Sequence, residues 1–127
     1  MPKANPLTPE DFRRAALSFP GAHEGSHHGA ADFRLGGRIF ATLAHQAQGL
    51  GNLFLDPAQQ NEFIATRPGI FTPAPGGWGR MGITHIVLAA ATKDDLARGL
   101  ETAYTRRAAI NAAARRKRPA ASKMRLL

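Results

Sequence analysis

His23, Glu24, His27 and His28 crowd into the stretch "HEGSHH", and imidazoles with a carboxylate are the donor set of a metal centre. The spacing is not that of H-E-x-x-H, which stacks two imidazoles one helical turn apart with the glutamate as base. The glycines and serine around the cluster read as a solvated loop, so no metal is expected. Ser26 beside His27 lacks the G-x-S-x-G elbow, and neighbours on a loop rarely meet in nucleophile–base geometry. A third pattern is Gly77, Gly79 and Gly82, which match G-x-G-x-x-G. That spacing binds a pyrophosphate only when it follows a strand and opens a helix. Here the glycines precede a strand and no helix opens at Gly82, so neither a dinucleotide nor any other cofactor is expected. The bland reading of this loop has Trp78 packed down as a lid. The functional one is a ligand or partner surface of Trp78 and Arg80, both favoured contact residues.

The remaining candidates are weaker. Glu10-Asp11 and Asp94-Asp95 are paired carboxylates, but both pairs fall in the first turns of expected helices, where negative charge meets the helix dipole. His45 and His85 stand alone; His85 is expected on the strand face opposite Ile83 and Val87, or in solvent, in a structural role. The absence of cysteine excludes disulfides, thiol nucleophiles and cysteine zinc sites. No nucleophile or acid–base pair is visible, so the chain reads as a non-enzyme.

Charge carries more physical content. The 127 residues hold 17 Lys and Arg against 9 Asp and Glu, a net charge of +8. Up to Thr105 the two signs cancel. The excess is Arg106, Arg107, Arg115, Arg116, Lys117, Arg118, Lys123 and Arg125, with no acid among them. This divides the chain into a domain over 1–107, neutral up to Thr105, and a basic C-terminal extension over 108–127. Such an arm would bind a polyphosphate by releasing counterions and would read no bases; a merely solubilising terminus is the alternative, and both stay open. It lacks the large apolar residues an interfacial helix inserts, no apolar run approaches the roughly 20 residues that span a bilayer, and "MPKANPLTPED" has no signal-peptide core. The expectation is a cytoplasmic monomer with no membrane partner.

These residues need elements to hold them. Thr8, Pro9 and Asp11 start a first helix with a capping box, and Pro20-Gly21 ends it. "DFRLGGRIFATLA" reads as a hairpin turning at Gly36-Gly37. A strand through Leu55 leads into a helix capped by Asp56 with Gln59 at the box position. A proline- and glycine-rich connection precedes the clearest strand, "ITHIVLAA". Thr92 and Asp95 cap the last helix, whose core-facing stripe is Leu96, Leu100, Ala103 and Tyr104. Beyond Ala108 helix propensity persists without a stripe, which predicts a helix projecting from the domain and fraying before Pro119, with "AASKMRLL" disordered.

In order and motif the chain resembles the MmcQ/YjbR family, small single-domain bacterial proteins. The likeness runs from Leu7 to Arg107 through "SFPGAHEG", "DFRLGGRIFATL", "LDPAQQNEFI", "GGWGRMGITHIVL" and "LETAYTRRA". The resemblance implies a two-layer α+β fold, an antiparallel sheet with helices packed on one face, related in shape to secretion chaperones and CyaY-like frataxin domains. It also implies the DNA-binding label that such proteins commonly carry, and it brings no catalytic residues. Many relatives have His-Trp where this chain has Gly77-Trp78 and Ser-Tyr where it has Ala103-Tyr104; Trp78 and Tyr104 match as surface or packing residues. The expected function is a non-enzymatic binding protein that contacts DNA without sequence preference through its basic arm. The alternative is a protein- or small-ligand-binding module using the "HEGSHHG" and "PAPGGWGRMG" loops, with a solubilising tail.

Overall fold

A computed structural model describes residues 6–117. Three helices start as their capping residues require. Thr8 Oγ1 accepts the Asp11 N–H at 3.2 Å while the Asp11 carboxylate takes the Thr8 N–H at 2.8 Å, opening α1 (Pro9–Leu17). The same reciprocal bonds join Asp56 with Gln59 at the start of α2 (Pro57–Thr66), and Thr92 with Asp95 at the start of α4 (Lys93–Lys117). Each box satisfies two helix N–H groups that would otherwise lack partners.

Among the described residues the six strands are β1 (His23–His27), β2 (Ala30–Leu35), β3 (Arg38–Thr42), β4 (Leu50–Phe54), β5 (Phe71–Pro73) and β6 (Ile83–Val87). They form one sheet in the order β1-β2-β3-β4-β6-β5, antiparallel throughout. The β2–β3 turn falls at Gly36-Gly37, both with positive φ, as the hairpin reading requires. β1 was expected to be loop. It is an edge strand bonded to β2 alone, exposed along nearly its whole length, so its side chains show no apolar alternation.

Cross-strand register sorts the sheet into two unlike faces. Phe33, Ala41, Leu53, Gly51, Ile86 and Phe71 lie in register on one face, which α1, α2 and α4 cover. There Phe12 of α1 tilts against Phe33 at 5.9 Å, and Phe63 of α2 against Phe71 at 4.8 Å. Gly51 is required by this packing, since a β-carbon there would lie 2.4 Å from the Phe12 ring. Asp32, Thr42, Asn52, His85 and Thr72 line up across the opposite face, and four of these five are buried.

At 1.5 Å per residue the 25 residues of α4 reach about 37 Å, while a five-residue strand spans about 16 Å. The helix therefore overshoots the sheet. Its first half buries Leu96, Gly99, Leu100 and Ala103, and Tyr104 stacks on Phe19 at 4.8 Å and donates its hydroxyl to the Pro20 carbonyl at 2.5 Å. Among the described residues α4 is the last helix, and a fourth, short α3 (Gly76–Arg80), lies within the connection expected to be loop. Five residues, three of them glycine, carry little helix signal, and tertiary contacts hold the turn instead.

Candidate functional site

The second half of α4 runs without a break across residues 107 and 108. The expected projection of this segment is only partly right, because it is tied down by polar contacts instead of an apolar stripe. Asn111 Nδ2 donates to the Leu35 carbonyl at 2.9 Å, and Arg107 Nε donates to Asn111 Oδ1 at 3.1 Å. Gly36, at φ +61°, makes the close approach possible, since a β-carbon there would stand 3.0 Å from Asn111 Nδ2. Helix and turn together enclose a groove of about 460 Å³ lined by Gly36, Arg38, Asn111, Ala114, Arg115 and Lys117.

This groove is electrostatically one-sided. Partial burial, then the nearby charges of Arg106 and Arg38, push the Arg107 guanidinium below its ordinary pKa, though an arginine stays protonated at any physiological pH. Among the described residues, no carboxylate lies within ion-pair distance of Arg38, Arg106, Arg107, Arg115, Arg116 or Lys117. Of the cations expected in the arm, Arg106, Arg107, Arg115, Arg116 and Lys117 thus occupy one stretch of ordered helix. Arg118, Lys123 and Arg125 lie outside the described residues. Arg38 belongs by sequence to the neutral domain, and its place directly after the Gly36-Gly37 turn is the signal that it joins the cations of α4.

A second groove, of about 720 Å³, lies between α2 and the first half of α4. Phe63 and Phe71 contribute apolar walls, and its charged lining is Arg67 and Arg98 against Glu62, Asp94, Asp95 and Glu101. Arg67 makes a two-pronged bond to Asp95, both arms at 2.9 Å, and Arg98 stands 3.8 Å from Asp94. The Arg67 guanidinium, assisted by the Thr92 N–H and hydroxyl, holds the Asp95 carboxyl below the usual carboxylate range.

Trp78 is not a lid. It is 63% exposed and Met81 is 65% exposed, with Arg80 exposed between them. The helix docks instead through its backbone: Gly79 is buried, and Gln60 Nε2 donates to the Gly79 and Ile83 carbonyls at 3.0 Å each. A β-carbon on Gly79 would fall 1.8 Å from the Ala74 carbonyl oxygen. Gly82 is equally confined, a β-carbon there falling 2.1 Å from the Leu55 carbonyl oxygen, so packing explains two of the three glycines, while Gly77 has room for a β-carbon. Neither groove is lined by Trp78.

The histidine cluster is divided by the strand that contains it. In β1, Glu24 faces the helices and accepts from Arg13 Nε at 2.6 Å, while His27 faces the other way, with Nδ1 3.0 Å from Asp32 Oδ2. Asp32 is fully buried, and the Arg34 fork at 2.7 and 3.0 Å, joined by His27, lowers its pKa. Among the described residues no group of three or more metal-ligating side chains could hold an ion.

The expectation for His85 is corrected. Residues 83, 85 and 87 share one side of a strand, so His85 lies on the same face as Ile83 and Val87, and it is 6% exposed. Burial, then the neighbouring His45, lowers its pKa; the two rings lie 5.1 Å apart. Asn52 Nδ2 donates to Thr42 Oγ1 at 2.8 Å and approaches His45 Nδ1 at 3.0 Å. Asn52 Oδ1 and His85 Nε2 are buried without a hydrogen-bond partner among the described residues. No local motif announces this polar row, because its members are far apart in sequence and meet only in the sheet.

The chain matches the model of the YjbR family over residues 17–106. No curated protein matches it. Among solved structures it is similar to the crystal structure of Deinococcus radiodurans protein DR2400, whose family-model domain is DUF419. The TM-score is 0.63 at 19% sequence identity, covering 77% of this chain and 76% of that one. Among the described residues no helix is long and apolar enough to cross a membrane.

Proposed function

The chain belongs to the YjbR family, and on that α+β scaffold we propose a non-enzymatic binding protein that holds DNA, without sequence preference, through the second half of α4. One observation carries the reading: Arg38, Arg115 and Lys117 line one groove, Arg106, Arg107 and Arg116 share the same half of α4, and none of the six has a carboxylate partner among the described residues. Unpaired like charges repel one another, and a phosphate backbone relieves that repulsion while releasing its own counterions. Backbone charge is the same for every sequence, so such contacts position the protein without reading bases. The cations at the end of α4 also face the negative pole of the helix dipole, which stabilises them in the free protein. The rest of the domain orients this face.

The test keeps the chain whole. Arg38→Gln, Arg115→Gln and Lys117→Gln leave the Arg107–Asn111–Leu35 chain of bonds in place. Each phosphate contact removed should flatten the dependence of log affinity on log salt by about 0.9, and the triple variant should bind duplex DNA at least tenfold more weakly at low salt. Equal affinity and an equal salt slope in the variant would overturn the reading. The exposure of Trp78 and Met81 favours a second reading, a protein- or small-ligand-binding module centred on α3, and that outcome would promote it.

A further inference from the structure

The two surfaces set against each other by the sequence lie at one end of the molecule. In the antiparallel register Leu35 pairs with Arg38 at the β2–β3 turn, Ala41 with Leu53, and Phe54 with Ile83. The turn that carries Arg38, the last residue of β4 and the first of β6 therefore share a sheet end. α3 sits directly before β6, and Asn111 ties the cationic half of α4 to the turn at that same end. β6 is two strands from β3, about 10 Å across the sheet. An exposed indole thus lies at the same sheet end as the unpaired cations.

We infer that the ligand preferred at this end is single-stranded nucleic acid, with Trp78 stacking on an unpaired base while Arg38 and the cations of α4 hold the flanking phosphates. This rests on the DNA-binding reading and narrows it. Bases inside a duplex are stacked on one another and have no free ring face to offer; a single strand presents one at every nucleotide. The local construction suits the role. α3 is held by the backbone of Gly79 and by the Gln60 amide, so the indole is not needed for packing and is presented from a fixed turn. Arg80, exposed on the same turn, adds a further cation beside the indole.

Trp78 is the chain's one tryptophan, so its fluorescence reports on this contact alone. The full chain would be titrated with a fluorescently labelled 12-nucleotide thymidine strand and with a duplex of equal length. Anisotropy gives affinity and indole emission gives stacking. The single strand should quench the indole and bind about tenfold more tightly than the duplex. Trp78→Ala should lose that advantage and leave duplex affinity within twofold, while Trp78→Phe should keep part of it; thermal melting checks that each variant is folded. If the single strand binds as tightly to Trp78→Ala and leaves the indole unquenched, the inference falls and the DNA-binding reading stands. If neither strand binds, both fall. An indole emission that shifts with protein concentration alone would mean a second copy covers Trp78, and would also overturn the inference.

Discussion

From Thr92 to Tyr104, α4 sinks Leu96, Gly99, Leu100 and Ala103 into the core and matches Asp95 with Arg67 and Asp94 with Arg98. From Thr105 to Lys117 no side chain is fully buried, and the cations have no carboxylate partners among the described residues. Both stretches are one continuous helix, but different forces hold them. Tertiary packing makes the first half helical. The second relies on the propensity of alanine and arginine and on the bonds through Asn111. The contrast shows where stability and binding reside. Where charge serves the fold, as at Asp95, it is held against a partner, and where the cations of the second half are left bare they are available to a ligand.

The largest expected effect lies in the first half. Leu100→Ala removes a fully buried side chain and should cost about 2–5 kcal/mol in thermal or urea unfolding, with the salt slope of DNA binding unchanged below the melting temperature. A changed slope would show that the two halves are not separable. Next comes Asp95. The Arg67 fork holds its carboxyl below the usual range, so on acidification the unfolded chain takes up the proton first. The stabilisation is complete well above about pH 4 and is lost as the pH falls below that value. Asp95→Asn should cost about 1.5 kcal/mol at neutral pH, the low end for charge-assisted bonds because Arg67 stays half in water, and should flatten the acid limb of a stability–pH curve. The smallest effect belongs to the second half: Asn111→Ala removes the tie to Leu35 and should cost about 1 kcal/mol. Amide exchange should quicken beyond Arg107 and stay slow around Leu100; uniform quickening would mean that the halves open together.

What could be read from the sequence follows the range of the forces involved. The capping boxes at Thr8, Asp56 and Thr92 and the Gly36-Gly37 turn are settled within four residues, and each stands where its local chemistry places it. β1 and α3 were missed because their stability comes from elsewhere, β1 from pairing with β2 and α3 from the bonds of Gln60 and the close fit of Gly79. The basic stretch was visible as composition. Its partner Arg38 was not, since only the hairpin and the length of α4 bring residues 38 and 115 to the same groove. Trp78 was legible as a contact residue, but its neighbours were not, because strand order decides which loops share an end.

That strand order has a consequence for how the chain is made. β6 enters the sheet between β4 and β5, both of which precede it in sequence, and α4 follows only after β6. As the polypeptide leaves the ribosome, β1 to β4 can pair as a meander of neighbours, but the inner edge of β4 stays open and the apolar face has only α1 and α2 against it. Closing that gap brings together segments about thirty residues apart, a step that local contacts do not assist. The domain cannot complete itself during synthesis of its first two thirds. Until Val87 and the first turns of α4 emerge, the nascent chain holds a sticky strand edge and half a core, the state in which a chaperone would find the most to bind.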